Sequence, residues 1–141
     1  MLSAAQTPGH GFGSQTQANL KPLASLRHLK WRDLHMIEDM TPGEFVGRRD
    51  SGELWALLDV REAWEINIAR IDQTIHIPMA EIPARIAELD ASQAVAVLCH
   101  SGGRSARVAS YLLQTGFDRV ANIVGGIDTW SLDIDDSIPR Y

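Results

Sequence analysis

Short apolar runs alternate with amphipathic stretches from Leu34 onward, and the spacing predicts strands alternating with helices. Leu34 to Ile37 predicts a short edge strand. Thr41-Pro42-Gly43-Glu44 starts a helix, with Thr as N-cap, Pro at the first helical position and Glu three residues beyond the cap. That helix is expected to reach Asp50, where Ser51-Gly52 stops it. Leu54 to Val60 predicts a buried strand ending in an acid, and Arg61 to Ile66 a short helix. Thr74 to Ile77 predicts a strand closed by Pro78. Pro83 to Leu89 predicts a helix, with Ile82, Ile86 and Leu89 on one stripe.

Ala94 to Leu98 is apolar at every position, as a parallel strand covered on both faces should be. A loop from Cys99 to Ser105 leads into a helix through Gln114, with Val108, Leu112 and Leu113 inward and Gly116 as its cap. Val120 to Val124 is the last strand, followed by Gly125-Gly126 and a short helix at Ile127–Ser131. The expectation is an α/β fold: a central, mainly parallel five-stranded sheet flanked by helices on both faces.

The first 19 residues carry Gly, Ser, Thr and Gln and few large apolar groups, so burial there cannot offset the entropy of ordering. Residues 1–32 are expected to be an N-terminal extension, largely disordered, and 33–141 the folded domain. Charge divides at the same place. Lys21, Arg27, Lys30 and Arg32 stand without any acid in the extension, whereas the rest holds 9 of the 13 basic and all 18 acidic residues. The net charge of −5 and the lack of a Lys/Arg run argue against nucleic acid. No apolar stretch approaches the ~20 residues of a membrane helix. A single cysteine excludes an internal disulfide and a multi-thiolate metal site, and points to a reducing, cytoplasmic setting.

That cysteine carries the candidate chemistry. In open α/β sheets ligands bind at the carboxyl ends of strands, and Cys99 stands at such an end. His100, Ser101, Gly102, Gly103, Arg104 and Ser105 follow, with two glycines that let several N–H groups converge on an anion. The next helix turns its positive end to the same point, and Arg104 adds a full charge. Lowering a thiol from ~8.5 to ~6.5 needs ~2.7 kcal/mol. A helix end supplies roughly 0.5–2 kcal/mol and a charge-assisted hydrogen bond about 1.5–3. Cys99 is therefore expected to be largely thiolate at neutral pH. The plainer reading makes it a small buried core residue. Ser105 has two readings as well, helix cap or member of the anion cluster, and His100 reads as a solvent-facing loop residue.

Four motifs in order resemble the rhodanese family: Leu57-Leu58-Asp59-Val60-Arg61-Glu62, Ile75 to Ile82, the loop Cys99 to Ser105 in the form C-x-x-G-x-R-S, and Gly125-Gly126-Ile127-Asp128-Thr129-Trp130. The resemblance covers Leu34 to Tyr141. It implies a sulfurtransferase in which Cys99 takes the outer sulfur of a small-molecule donor such as thiosulfate and holds it as a persulfide. A thiophilic acceptor then removes it: cyanide, a thiol or a thiol protein. No cofactor and no metal are implied. Arg104 would bind the oxyanion end of the donor, favouring thiosulfate over mercaptopyruvate. Asp59 and Arg61 would support the loop. Alternatively, Asp59 caps the helix that begins at Arg61, and Arg61 makes a surface pair. Trp130 and the glycine pair read as core packing and a tight turn. Where the family has G-H-I-P-G-A, this chain has Ala69-Arg70-Ile71-Asp72-Gln73-Thr74, which alters the lead-in to a strand.

Two other functions compete. Cysteine phosphatases and arsenate reductases of the same fold place five residues between Cys and Arg, whereas four intervene here, and Ser105 occupies the longer motif's arginine position. The smaller cradle suits one sulfur atom. A non-catalytic binding or regulatory module carrying an incidental persulfide is the other alternative.

Overall fold

In the computed structural model, residues 36–141 are described. The expected N-terminal extension, residues 1–32, and the start of the first predicted strand lie outside them. Five strands form one all-parallel sheet: β1 (Ile37–Met40), β2 (Trp55–Asp59), β3 (Ile75–His76), β4 (Ala94–Leu98) and β5 (Val120–Ile123). Their order across the sheet is β1-β5-β4-β2-β3. The central β4 pairs with β2 from Ala94 to Leu98 and with β5 from Val95 to Val97.

Among the described residues, five α-helices follow: α1 (Pro42–Asp50), α2 (Ala63–Ile68), α3 (Ile82–Arg85), α4 (Gly103–Gln114) and α5 (Gly126–Asp133). β4 shows why both faces need cover. Ala96 and Leu98 join a core with Phe45 of α1 and Ile127 and Trp130 of α5, whereas Val95 and Val97 join Val108, Ala109 and Leu112 of α4. The alternation is the two-residue period of a strand, and burial of each of the larger side chains, such as Leu98 or Val97, contributes roughly 1.5–3 kcal/mol.

Local signals fixed several boundaries. Thr41 caps α1 through a reciprocal capping box, its hydroxyl accepting from Glu44 N–H at 3.1 Å and the Glu44 carboxylate from Thr41 N–H at 2.9 Å. Gly116, at φ +105°, ends α4, and the Phe117 N–H donates to Leu112 O at 3.1 Å.

Other boundaries moved. β1 occupies Ile37–Met40 rather than 34–37, because the sheet buries Glu38 among Arg48 and Arg119, and an acid inside a strand breaks the apolar pattern. Among the described residues it is still an edge strand, paired with β5 alone. α2 starts two residues late, at Ala63, since Glu62 takes the capping position and its N–H donates to the Glu65 carboxylate at 2.8 Å. The stretch foreseen as one helix over 83–89 divides into α3 between 3-10 turns at Met79–Glu81 and Ile86–Glu88. Its stripe holds: Ile82 is buried, and Ile86 and Leu89 pack against the same core.

Candidate active site

The chain leaves β4 at Leu98, and Cys99 begins the turn into α4. Gly102 adopts φ +112°, a left-handed conformation that suits glycine, and its N–H thereby points back to the sulfur, 3.1 Å from Cys99 Sγ. Gly102 is also the N-cap of α4, and Gly103 is its first residue. Ser105 is not a cap. It is fully buried in the first turn, with its Oγ 3.3 Å from the sulfur.

Cys99 itself is only 1% exposed, as the core-residue reading expects. Burial pushes its thiol up. The Ser105 hydroxyl and the N–H groups of Ser105, Gly102 and Ser101 act in the opposite direction and win, so the thiol lies below its ordinary value. An inert core cysteine lacks such a set of donors. The arrangement stabilises a negative charge on sulfur or on a small group attached to it.

Arg104 is placed differently from the sequence expectation. Its guanidinium is clamped by the Glu65 carboxylate of α2 in two hydrogen bonds of 2.7 Å each. Glu65 is 3% exposed, and the Arg104 guanidinium holds its carboxyl down at about 2 despite burial. The tyrosine at 141 donates to the same carboxylate at 2.9 Å. Its ring stacks on His100, with centroids 4.2 Å apart, so His100 is half-buried against an aromatic rather than facing solvent freely.

Arg61 makes no surface pair. It is completely buried, forked onto Asp59, and donates to Ala69 O at 2.8 Å, to Glu65 O at 3.3 Å and to the Tyr141 hydroxyl at 2.9 Å. Asp59 does not cap α2. Its Oδ1 accepts from Arg61 N–H at 3.1 Å, and its carboxylate satisfies the buried guanidinium. Arg61 reaches Glu65 through Tyr141, whose hydroxyl accepts from the guanidinium and donates to the carboxylate.

The glycine pair does more than turn the chain. Gly126, at φ +59°, lies so close to the loop that a Cβ there would overlap the carbonyls of Cys99 and His100. The α5 N-terminus accordingly docks on the loop: Ile127 N–H donates to Cys99 O at 2.9 Å and Asp128 N–H to His100 O at 3.1 Å. Trp130 is core, as expected.

Three site residues went unforeseen. Asn122 accepts from the Ser105 hydroxyl at 2.6 Å, and its signal was a polar side chain inside the buried run of β5. Glu65 had a weaker signal, the Glu-x-x-Glu spacing with Glu62. Tyr141 had none, being 76 residues from the carboxylate it meets. Among the described residues, no helix is long and apolar enough to cross a membrane, and no group of three potential metal ligands gathers.

With this geometry in view, comparison with known proteins is specific. The rhodanese-like domain model matches residues 41–133. The chain is 36% identical over 95 residues to YrkF of Bacillus subtilis (strain 168), a protein named for sulfur carriage; the match covers 67% of this chain and 51% of YrkF. This chain therefore spans about half the length of that relative. It is 39% identical over 75 residues to a sulfurtransferase of Allochromatium vinosum, covering 53% of this chain and 70% of that one. The crystal structure of a rhodanese-like domain protein from Staphylococcus aureus superposes with a TM-score of 0.64 at 25% identity, over 74% of this chain and 99% of the other.

Proposed function

Since the chain belongs to the rhodanese-like domain family, we propose that it is a sulfurtransferase using Cys99 as nucleophile. Relatives named for sulfur carriage and sulfur transfer support the general role. The observation that carries the finer reading is the convergence of Gly102 N–H and the Ser105 hydroxyl on Cys99 Sγ, at 3.1 and 3.3 Å.

The Cys99 thiolate attacks the outer sulfur of a sulfane donor, for which thiosulfate is the simplest case. The donor's S–S bond breaks, sulfite leaves with the bonding pair, and a Cys99 persulfide remains. Its terminal sulfur is again anionic, so the amide donors of the loop suit the resting and the loaded states alike. An acceptor nucleophile, such as a thiolate or cyanide, then attacks that terminal sulfur and the Cys99 thiolate is restored. His100, Ser101, Gly102, Gly103 and Ser105 form the cradle, Arg104 flanks it, and Asp59 and Arg61 brace it. The cycle needs no cofactor or metal, and we assign it to the domain read from the sequence, residues 33–141. Four residues between Cys99 and Arg104 leave a cradle for one sulfur, which favours this reading over phosphate or arsenate chemistry.

Intact mass spectrometry after incubation with a sulfane donor tests the proposal. The expected result is a gain of one sulfur atom, lost on adding cyanide and absent in Cys99→Ala. An unmodified wild-type protein, or equal loading of Cys99→Ala, would overturn it.

A further inference from the structure

Arg104 belongs to the loop that holds the sulfur, and its charge is already answered from within the protein by Glu65. Glu65 accepts from Arg104 Nη2 and Tyr141 Oη at Oε1, and from Arg104 Nη1 and Glu62 N–H at Oε2, at 2.7 to 2.9 Å. All four principal acceptor directions of a buried carboxylate are filled. Swinging Arg104 out to a donor would leave that carboxylate with two of its four partners, which a buried charge resists strongly. Tyr141 is held in turn by Arg61 and by the stacked His100 ring. The clamp is braced on three sides.

The charge sum at the site follows. The Asp59–Arg61 and Glu65–Arg104 pairs are each neutral, so the Cys99 thiolate leaves the site one unit negative. A free guanidinium would reward each added negative charge on a donor, whereas the engaged Arg104 offers far less, and the Cys99 thiolate opposes a dianion more than a monoanion.

Resting on the reading of Cys99 as sulfur acceptor, we propose that Glu65 is a specificity-determining residue: by engaging Arg104 it tunes the site for sulfane donors carrying at most one negative charge, and against dianionic thiosulfate. Methanethiosulfonate is the matching monoanion, with a methyl group in place of one oxygen. The Cys99 thiolate attacks its outer sulfur, the S–S bond breaks, methanesulfinate departs with the electron pair, and the same persulfide forms.

The test measures Cys99 loading by both donors in the wild type, Glu65→Gln and Glu65→Asp. In Glu65→Gln the thiosulfate KM is expected to fall about tenfold, while the methanethiosulfonate KM stays within about threefold. Glu65→Asp, which keeps the charge, should keep the wild-type discrimination. Equal changes for both donors in Glu65→Gln would overturn the proposal. A second measurement needs no variant: NMR titration of the wild type with sulfate and methanesulfonate. The monoanion is expected to bind at least as tightly, and clearly tighter sulfate would overturn the inference even if Glu65→Gln failed to fold. Should neither donor load Cys99, the sulfurtransferase reading falls, but the anion titration still decides the role of Glu65.

Discussion

The Ser105 hydroxyl stands between two claimants, 2.6 Å from Asn122 Oδ1 and 3.3 Å from Cys99 Sγ. It has one proton to donate. While the Asn122 oxygen takes that proton, the sulfur is served as a thiol, its own S–H donating to Ser105. For the hydroxyl to stabilise the thiolate alongside the backbone N–H groups, the serine proton must turn toward sulfur. Asn122 thus opposes thiolate formation and Ser105 assists it.

Ser105→Ala should therefore raise the thiol pKa, since a donor to the charged form is lost. A hydrogen bond to a charged group is worth about 1.5–3 kcal/mol, so the rise is large enough to read. Asn122→Asp should shift it the same way, because a carboxylate holds the serine proton more firmly and adds a negative charge beside the sulfur. The midpoint of alkylation rate against pH reads both. An unmoved midpoint in Ser105→Ala would show that the backbone N–H groups carry the effect alone.

The Glu65 clamp has an acid signature. Its carboxyl lies at about 2 in the folded protein against an ordinary 4.5, so the unfolded chain binds the proton more readily. The contribution is present above about pH 4.5 and is lost as pH falls toward 2; it amounts to roughly 3 kcal/mol. Denaturant melts across that interval should show a slope in stability that Glu65→Gln reduces.

Gln73 has φ +61°, the one positive-φ residue other than glycine among those described. It occupies the place where the resembling family carries the second glycine of G-H-I-P-G-A. A side chain in this left-handed conformation costs about 1–2 kcal/mol. Gln73→Gly should accordingly raise stability by about 1 kcal/mol after the added flexibility of the unfolded chain is discounted. Thermal unfolding measures it, and a lower midpoint would contradict the strain.

Gly126→Ala should be costly in two ways. Its Cβ meets the carbonyls of Cys99 and His100, which both accept hydrogen bonds from the start of α5. Something on the order of 2–4 kcal/mol of stability is at stake, as for other severe backbone clashes. The displaced loop should also react more slowly at Cys99 than the loss of folded protein explains. Alkylation rates normalised to folded fraction separate the two effects.

What the sequence determined by itself was whatever short-range pattern encodes. The apolar run Ala94–Leu98, the Thr41–Glu44 cap and the glycine stop at Gly116 act over a few residues, so spacing and residue type suffice. The loop from Cys99 to Ser105 was legible for the same reason, since its turn and its donors are contiguous. Tertiary structure alone decided the charge state of the entrance. Arg104 reads as a free cation until folding brings Glu65 from 39 residues away and Tyr141 from the other end of the domain. It also decided between the two readings of Arg61, burying it on Asp59 rather than leaving it in a surface pair, and gave Asn122 a hold on the serine beside the sulfur. Buried polar groups choose partners by proximity in space, and proximity between distant segments exists only once the sheet has set its strand order.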